Sequence, residues 1–193
     1  MEEEFAGDPL PSHCEVIEVH VGHLNQLFNA IDPSPFREKD LEREAEEFIV
    51  GWAKDLPRDA RLALLVHVDH PVAHADAAAA LREAVREYFG HRAEESRRRM
   101  RQLFRVGRTS LLIGVGILTL CVLGGDLIES ALRGRRLGAL LRESLLIGGW
   151  VAMWRPMEIF LYEWWPIRAE ARLSDRLSSM PVRIAMPAAA RGS

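Results

Sequence analysis

Thr109 to Gly125 (TSLLIGVGILTLCVLGG) is a run of 17 consecutive uncharged residues. At 1.5 Å per residue a helix of that length covers about 26 Å, close to the ~30 Å hydrocarbon core of a bilayer, so the run reads as a transmembrane helix. The alternative is a helix buried in a soluble core. It is disfavoured because a chain of 193 residues has little core in which to enclose so long a helix that is apolar all round. The mean hydropathy of the whole chain is −0.06, so the run stands out against polar flanks.

A second apolar stretch is interrupted. Ser144 to Trp154 is uncharged, Arg155-Pro156-Met157-Glu158 follows, and Ile159 to Tyr162 resumes. A span over about 144–165 would put Arg155 near mid-membrane at a cost of about 2.5–3.5 kcal/mol, with Glu158 one turn on as its intramembrane partner. A span over about 138–154 instead leaves Arg142 to snorkel at one boundary and puts Arg155 at the other. Trp150, Trp154, Tyr162, Trp164 and Trp165 then form an interfacial belt. The second register is preferred because it avoids a buried charge. The two runs together predict a transmembrane helical hairpin over 107–167. Its expected seam is Ser110, Gly114, Ile117, Cys121 and Gly125 on the first helix against Gly148 and Ala152 on the second, small residues that let backbones approach.

Charge sets the expected orientation. Residues 1–91 carry 19 acidic and 8 basic side chains, and residues 92–193 carry 9 and 17, so the net charge of −3 conceals an acidic half and a basic half. Of the 25 basic residues only Lys39 and Lys54 are not arginine, which points to a GC-rich genome before it points to nucleic acid. Arg97, Arg98, Arg99, Arg101, Arg105 and Arg108 precede the first run, and stacking aromatics are not interleaved with them, so nucleic acid is not the expected partner. Anionic lipid headgroups are. Counting arginines around the two runs gives eleven outside the connecting stretch and four within it, which predicts both ends of the chain in the cytoplasm. The acidic first fifteen residues lack an apolar signal region, in agreement with that side.

Ahead of the membrane segment, Glu15 to Val21 alternates like a strand and Arg61 to Asp69 is nearly continuously apolar, like a central one. Between them Leu41, Ala45, Phe48, Ile49, Trp52 and Leu56 make one stripe of a helix that Asp40 could cap. Strand, helix, strand is a crossover unit and predicts two parallel neighbours. From Ala75 the pattern is helical again, with Leu81, Val85 and Phe89 on one face and no proline before the bilayer, which predicts one long helix, with Gly90 as a site for a kink, that leaves the domain and enters the membrane. The expected class is therefore α/β: a small βαβ-type cytosolic domain of two or three strands followed by the hairpin. Residues 1–14 are expected as a disordered leader and 15–106 as the domain. Residues 168–193 are expected as a cytosolic tail, with a short strand at 181–186 that could add an edge.

Chemistry is thinly represented. No Gly-x-Ser-x-Gly, P-loop or dinucleotide fingerprint occurs, and the two cysteines, Cys14 and Cys121, lie in the leader and in the apolar run. His20, His23, His67, His70 and His74 cluster near the carboxyl ends of the two predicted parallel strands, where such sheets place ligands. No cofactor is expected unless these imidazoles hold a divalent metal such as zinc, iron or manganese.

The segments HVGHLNQLFNAIDPSPFREKDLEREAEEFIVGWAKDLP (20–57) and ESLLIGGWVAMWRPMEIFLYEWWPI (143–167) resemble an uncharacterised family of small bacterial integral membrane proteins with a cytosolic N-terminal domain and two C-terminal transmembrane helices. The resemblance implies a bacterial source and the inner membrane, and it carries no catalytic role. The leading expectation is a membrane-anchored structural or regulatory interaction protein, working on a protein partner or as a homo-oligomer. A metal-dependent enzyme or sensor built on the histidines is one alternative. An oligomeric pore or transport accessory, with Arg155 and Glu158 facing a polar cavity, is another.

Overall fold

The structure, a computed structural model, describes residues 3–28, 41–70, 77–132 and 135–187. The chain divides into two compact units, Met1–Glu95 with Glu170–Ser193, and Ser96–Ala169.

In the first unit four strands form one sheet in the order β1-β4-β3-β2, with β1 at Glu3–Gly7, β2 at Glu15–Val21, β3 at Leu62–Val68 and β4 at Val182–Pro187. The crossover expectation holds where it was local: β2 and β3 are parallel, Glu15 facing Leu62 through Val21 facing Val68. On its other side β3 is parallel to β4, and β4 is antiparallel to β1. With partners on both edges β3 is a central strand, which its unbroken apolar sequence suits. Ile17, Val19, Leu64, Val66, Val182 and Ile184 share one face and are buried. Over that core lie Ile49 and Ala53 of α1 (Arg43–Asp55), Leu81, Val85 and Phe89 of α2 (Ala77–Ala131) and Leu177 of α4 (Trp164–Ser178).

Local chemistry explains the element ends. α1 has Glu44 and Glu46 in its first turn and Lys54 in its last, which complements the helix dipole, and Pro57 follows its end. Its N-cap is Glu42; Asp40 lies outside the described residues. Glu46 fastens α1 to α2, accepting from Tyr88 Oη at 2.6 Å and pairing with Arg92 Nη2 at 2.9 Å. β1 ends on Gly7, whose φ is +113° and where a Cβ would stand 2.6 Å from the Val182 carbonyl oxygen. Only glycine suits a position that combines this dihedral with so close a backbone.

The expected class, a small α/β domain of two or three strands followed by a transmembrane hairpin, is corrected here. Most of the chain is helical, α2 alone runs 55 residues without a break, and the sheet has four strands. Three physical causes stand out. Residues 3–7, read as leader, bond to β4 and become a strand. The segment at 182–187 is no added edge but lies between β1 and β3. The single long helix expected from Ala75 into the apolar run is present as α2, so the domain boundary placed at 107 falls inside one helix, in which 77–131 contains no proline and the glycines are single residues or a pair that a helix absorbs.

The second unit holds the rest of α2, then α3 (Arg136–Glu158), which continues through a π-helical turn at Ile159–Glu163 into α4. Among the described residues one helix, α2, is long and apolar enough to cross a membrane by length and composition. The second predicted span does not reach that standard. The uncharged part of α3, Ser144–Trp154, covers only about 16 Å before Arg155 and Glu158 interrupt it, and Arg142 and Glu143 precede it. α3 returns as a partner of α2 and not as an independently apolar span.

Candidate functional site

Within the second unit the apolar stretches of α2 and α3 carry many exposed apolar side chains. Leu112 is 75 % exposed, Leu120 71 % and Val151 68 %, and Ile113, Leu123, Ile147 and Trp154 are exposed beside them. Three hydroxyls within this stretch bond their own helices: Thr109 Oγ1 donates to the Arg105 carbonyl at 3.1 Å, Thr119 Oγ1 to that of Val115 at 2.8 Å and Ser144 Oγ to that of Leu140 at 2.8 Å. A helix surface of this kind suits a solvent that offers few hydrogen bonds.

α2 and α3 run antiparallel, and glycines mark where they touch. A Cβ at Gly107 would meet Ile159 Cγ2 at 2.9 Å, one at Gly114 the Ala152 carbonyl oxygen at 3.0 Å, and one at Gly125 the Arg142 Cγ at 3.0 Å. Gly114, Gly125 and Ala152 are thus in the predicted seam, and Cys121 faces α3 through Gly149. Gly148 is not: a Cβ there meets nothing within 4 Å, whereas one at Gly149 would lie 2.8 Å from Leu118 Cδ1. Ile117 is 42 % exposed, and Leu118 fills the place expected of it. Both shifts are single 100° steps around a helix. Ser110 is half-buried.

This pairing also sets the level of Arg155. With Gly107 opposite Ile159 and Gly114 opposite Ala152, Arg155 stands near Leu111, within about one turn of the end of the apolar run and not at its middle. Arg155 Nη1 bonds Glu158 at 3.0 Å, as its spacing predicts, and also bonds Glu163. Sequence reasoning missed Glu163, because residues eight apart on an α-helix point about 80° apart. The π turn between them absorbs one residue and brings Glu163 onto the Arg155 face. Arg142 is matched similarly, by Asp126 at 2.9 Å and Glu129 at 3.4 Å across the helix pair. Each arginine of α3 at the ends of its uncharged stretch is therefore answered by two carboxylates of the same chain.

The aromatic side chains expected to form a belt differ in exposure. Trp154 is 69 % and Trp165 64 % exposed, while Trp164 is half-buried, donates from Nε1 to the Phe160 carbonyl at 2.9 Å and carries the Arg168 guanidinium 5.6 Å from its ring. Arg97, Arg98, Arg99, Arg101, Arg105 and Arg108 are all exposed along α2.

The histidines come together in pairs. In-register strands stack His20 on His67 with ring centroids 4.3 Å apart and planes 6° from parallel, and His23 stacks on His70 at 4.1 Å and 20°. His70 Nδ1 lies 3.0 Å from the Gly22 carbonyl oxygen, and His67 Nε2 is 3.9 Å from Glu18. His74 lies outside the described residues. A metal held by two imidazoles needs both in-plane lone pairs aimed at one point about 2 Å from each nitrogen. Stacked parallel rings direct those lone pairs side by side, so these pairs do not fit a chelate. Among the described residues no group of three or more His, Cys, Asp or Glu side chains is placed to hold a metal ion. Purified protein is expected to carry far less than one transition metal per chain, and the His67→Ala/His70→Ala variant the same small amount. Elemental analysis checks this; stoichiometric metal lost in the variant would refute it.

No family model, curated protein or solved structure matches this chain. The functional reading therefore rests on the geometry just described.

Proposed function

We propose that this is a membrane-anchored interaction protein of the bacterial inner membrane, structural or regulatory in role and without catalysis, with both ends of the chain in the cytoplasm. The observation that carries the reading is the 17-residue uncharged run of α2, with Leu112 and Leu120 more than two-thirds exposed. A fully exposed leucine costs about 1.5–3 kcal/mol in water relative to burial, and lipid removes that cost for the whole surface at once. The shared side of the two ends is supported by the sheet: β1 and β4 are neighbours, so wherever the chain goes between Glu95 and Glu170 it comes back to the side it left. The exposed arginines from Arg97 to Arg108 precede the apolar run, where each basic group near an anionic leaflet contributes about 1 kcal/mol. Likeness of 20–57 and 143–167 to small bacterial membrane proteins belongs to the same proposal. So does action through a protein partner or a homo-oligomer.

The test is extraction of bacterial membranes with alkaline carbonate. The chain is expected to stay in the pellet. Leu120→Arg, which places a charge near the centre of the run at about 2.5–3.5 kcal/mol, is expected to move a large fraction into the supernatant. Recovery of the unaltered chain in the soluble fraction would refute the anchor.

A further inference from the structure

The face of α1 turned away from the core is unusual for a cytosolic helix. Glu44, Phe48, Trp52 and Asp55 follow one another at i, i+4, i+8 and i+11 and so occupy one stripe about 80° wide, with Glu47 beside it. The sequence pattern places Phe48 and Trp52 with the core residues, but the buried positions are Ile49 and Ala53, and Phe48 and Trp52 are 45 % and 50 % exposed. Their ring centroids are 5.8 Å apart, so they form one aromatic surface, and the three carboxylates around it are exposed. Gly51 lies beside the stripe, and a Cβ there would meet nothing within 4 Å, so the flank next to Trp52 is open. Arg43 and Lys54 lie outside the stripe on the Glu47 side, so the carboxylates of Glu44 and Asp55, on the stripe itself, are the ones nearest the two rings.

A tryptophan and a phenylalanine held half in water lose little entropy on binding and bury much apolar area. Their π faces attract guanidinium or ammonium groups, and the neighbouring carboxylates pair with the same groups. The unit that holds α1, residues 1–95 with 170–193, carries 23 acidic and 13 basic residues, which extends this preference into a field that draws in a cation. An anionic bilayer surface would be repelled by the same carboxylates. We propose that this face of α1 docks a cationic amphipathic helix of a partner protein, one that presents arginine or lysine among apolar side chains at i, i+4 spacing. The proposal rests on the reading of an interaction protein and names the chemistry of what is bound.

The experiment replaces Phe48 with p-benzoylphenylalanine in the full chain in cells and irradiates it. The expected result is an adduct whose mapped peptide is an arginine- or lysine-bearing helical segment of another protein. Its yield should fall at least tenfold when Glu44→Arg, Glu47→Arg and Asp55→Arg are combined, in a variant shown by thermal melting and fractionation to fold and localise as before. An adduct to lipid or to a second copy of this chain, no adduct, or an adduct indifferent to charge reversal would each overturn the proposal. The same probe at Phe5, 47 % exposed on β1, separates the wider reading from the narrower one. Protein adducts at Phe5 alone would keep the interaction role and remove α1 from it. Adducts at neither position would count against that role itself.

Discussion

A chain ending at Met180 is expected to lose the sheet unit altogether. β4 would be missing, and β4 is the strand that joins β1 to β3. Its removal leaves β1 with no neighbour and strips one edge of the central strand β3, whose residues 64–67 pair with 182–185. Val182, Ile184 and Ala185 are each at most 2 % exposed, so their burial is lost as well. Full burial of a valine or isoleucine is worth about 1.5–3 kcal/mol each, against a net stability of about 5–15 kcal/mol for a whole domain. The lost ladder hydrogen bonds and newly exposed strand edges add to this. Circular dichroism and limited proteolysis should show no cooperative transition from residues 1–95 in the truncated chain. A milder variant gives a graded measure: Ile184→Ala is expected to cost about 2–4 kcal/mol. If the truncated chain melts like the full one, the central placement of β4 is wrong.

Two adjacent glycines should behave in opposite ways. Gly149→Leu is expected to force α3 away from α2, because even a Cβ there would lie 2.8 Å from Leu118 Cδ1, 3.2 Å from Leu118 Cα and 3.3 Å from Cys121 Cβ. The leucine side chain could turn from the first of these contacts, but the Cα belongs to the α2 backbone and cannot yield without moving the helix. Overpacking of this kind costs about 1–3 kcal/mol and at times more. Gly148→Leu adds a side chain where nothing lies within 4 Å and should leave stability unchanged or raise it by up to about 1 kcal/mol through helix propensity. Thermal melts of the two variants in detergent, side by side, decide it. Equal effects would mean that α2 and α3 are not packed through Gly149.

Much of the local structure could be read directly. The alternation of Val16, Glu18 and His20 with Ile17, Val19 and Val21 marks β2, and the apolar continuity of 62–68 marks a central strand, since side-chain period and flanking polarity are properties of a few residues. The proline-free stretch after Ala77 marks a helix that continues into the apolar run. The candidate site was legible to the same depth. Gly114, Gly125, Ala152 and the Arg155–Glu158 pair follow from helical spacing alone. Gly149 and Glu163 did not, because a single 100° step and a single π turn change which residue faces a neighbour while leaving the hydrophobic pattern unaltered.

What the amino-acid sequence by itself determined is the identity of the long helix, the apolar run within it and the parallel pairing of β2 with β3, all set by contacts between near neighbours or across one crossover. Only the tertiary structure decided that Glu3–Gly7 is a strand, that Val182–Pro187 lies inside the sheet and that Phe48 and Trp52 stay outside the core. Those outcomes depend on hydrogen bonds and burial between segments more than 100 residues apart, and on which side of α1 the sheet meets. A five-residue segment has no periodicity strong enough to announce such a partner. The pairing exists because β3 has a second edge to satisfy, and the end of the chain returns beside it.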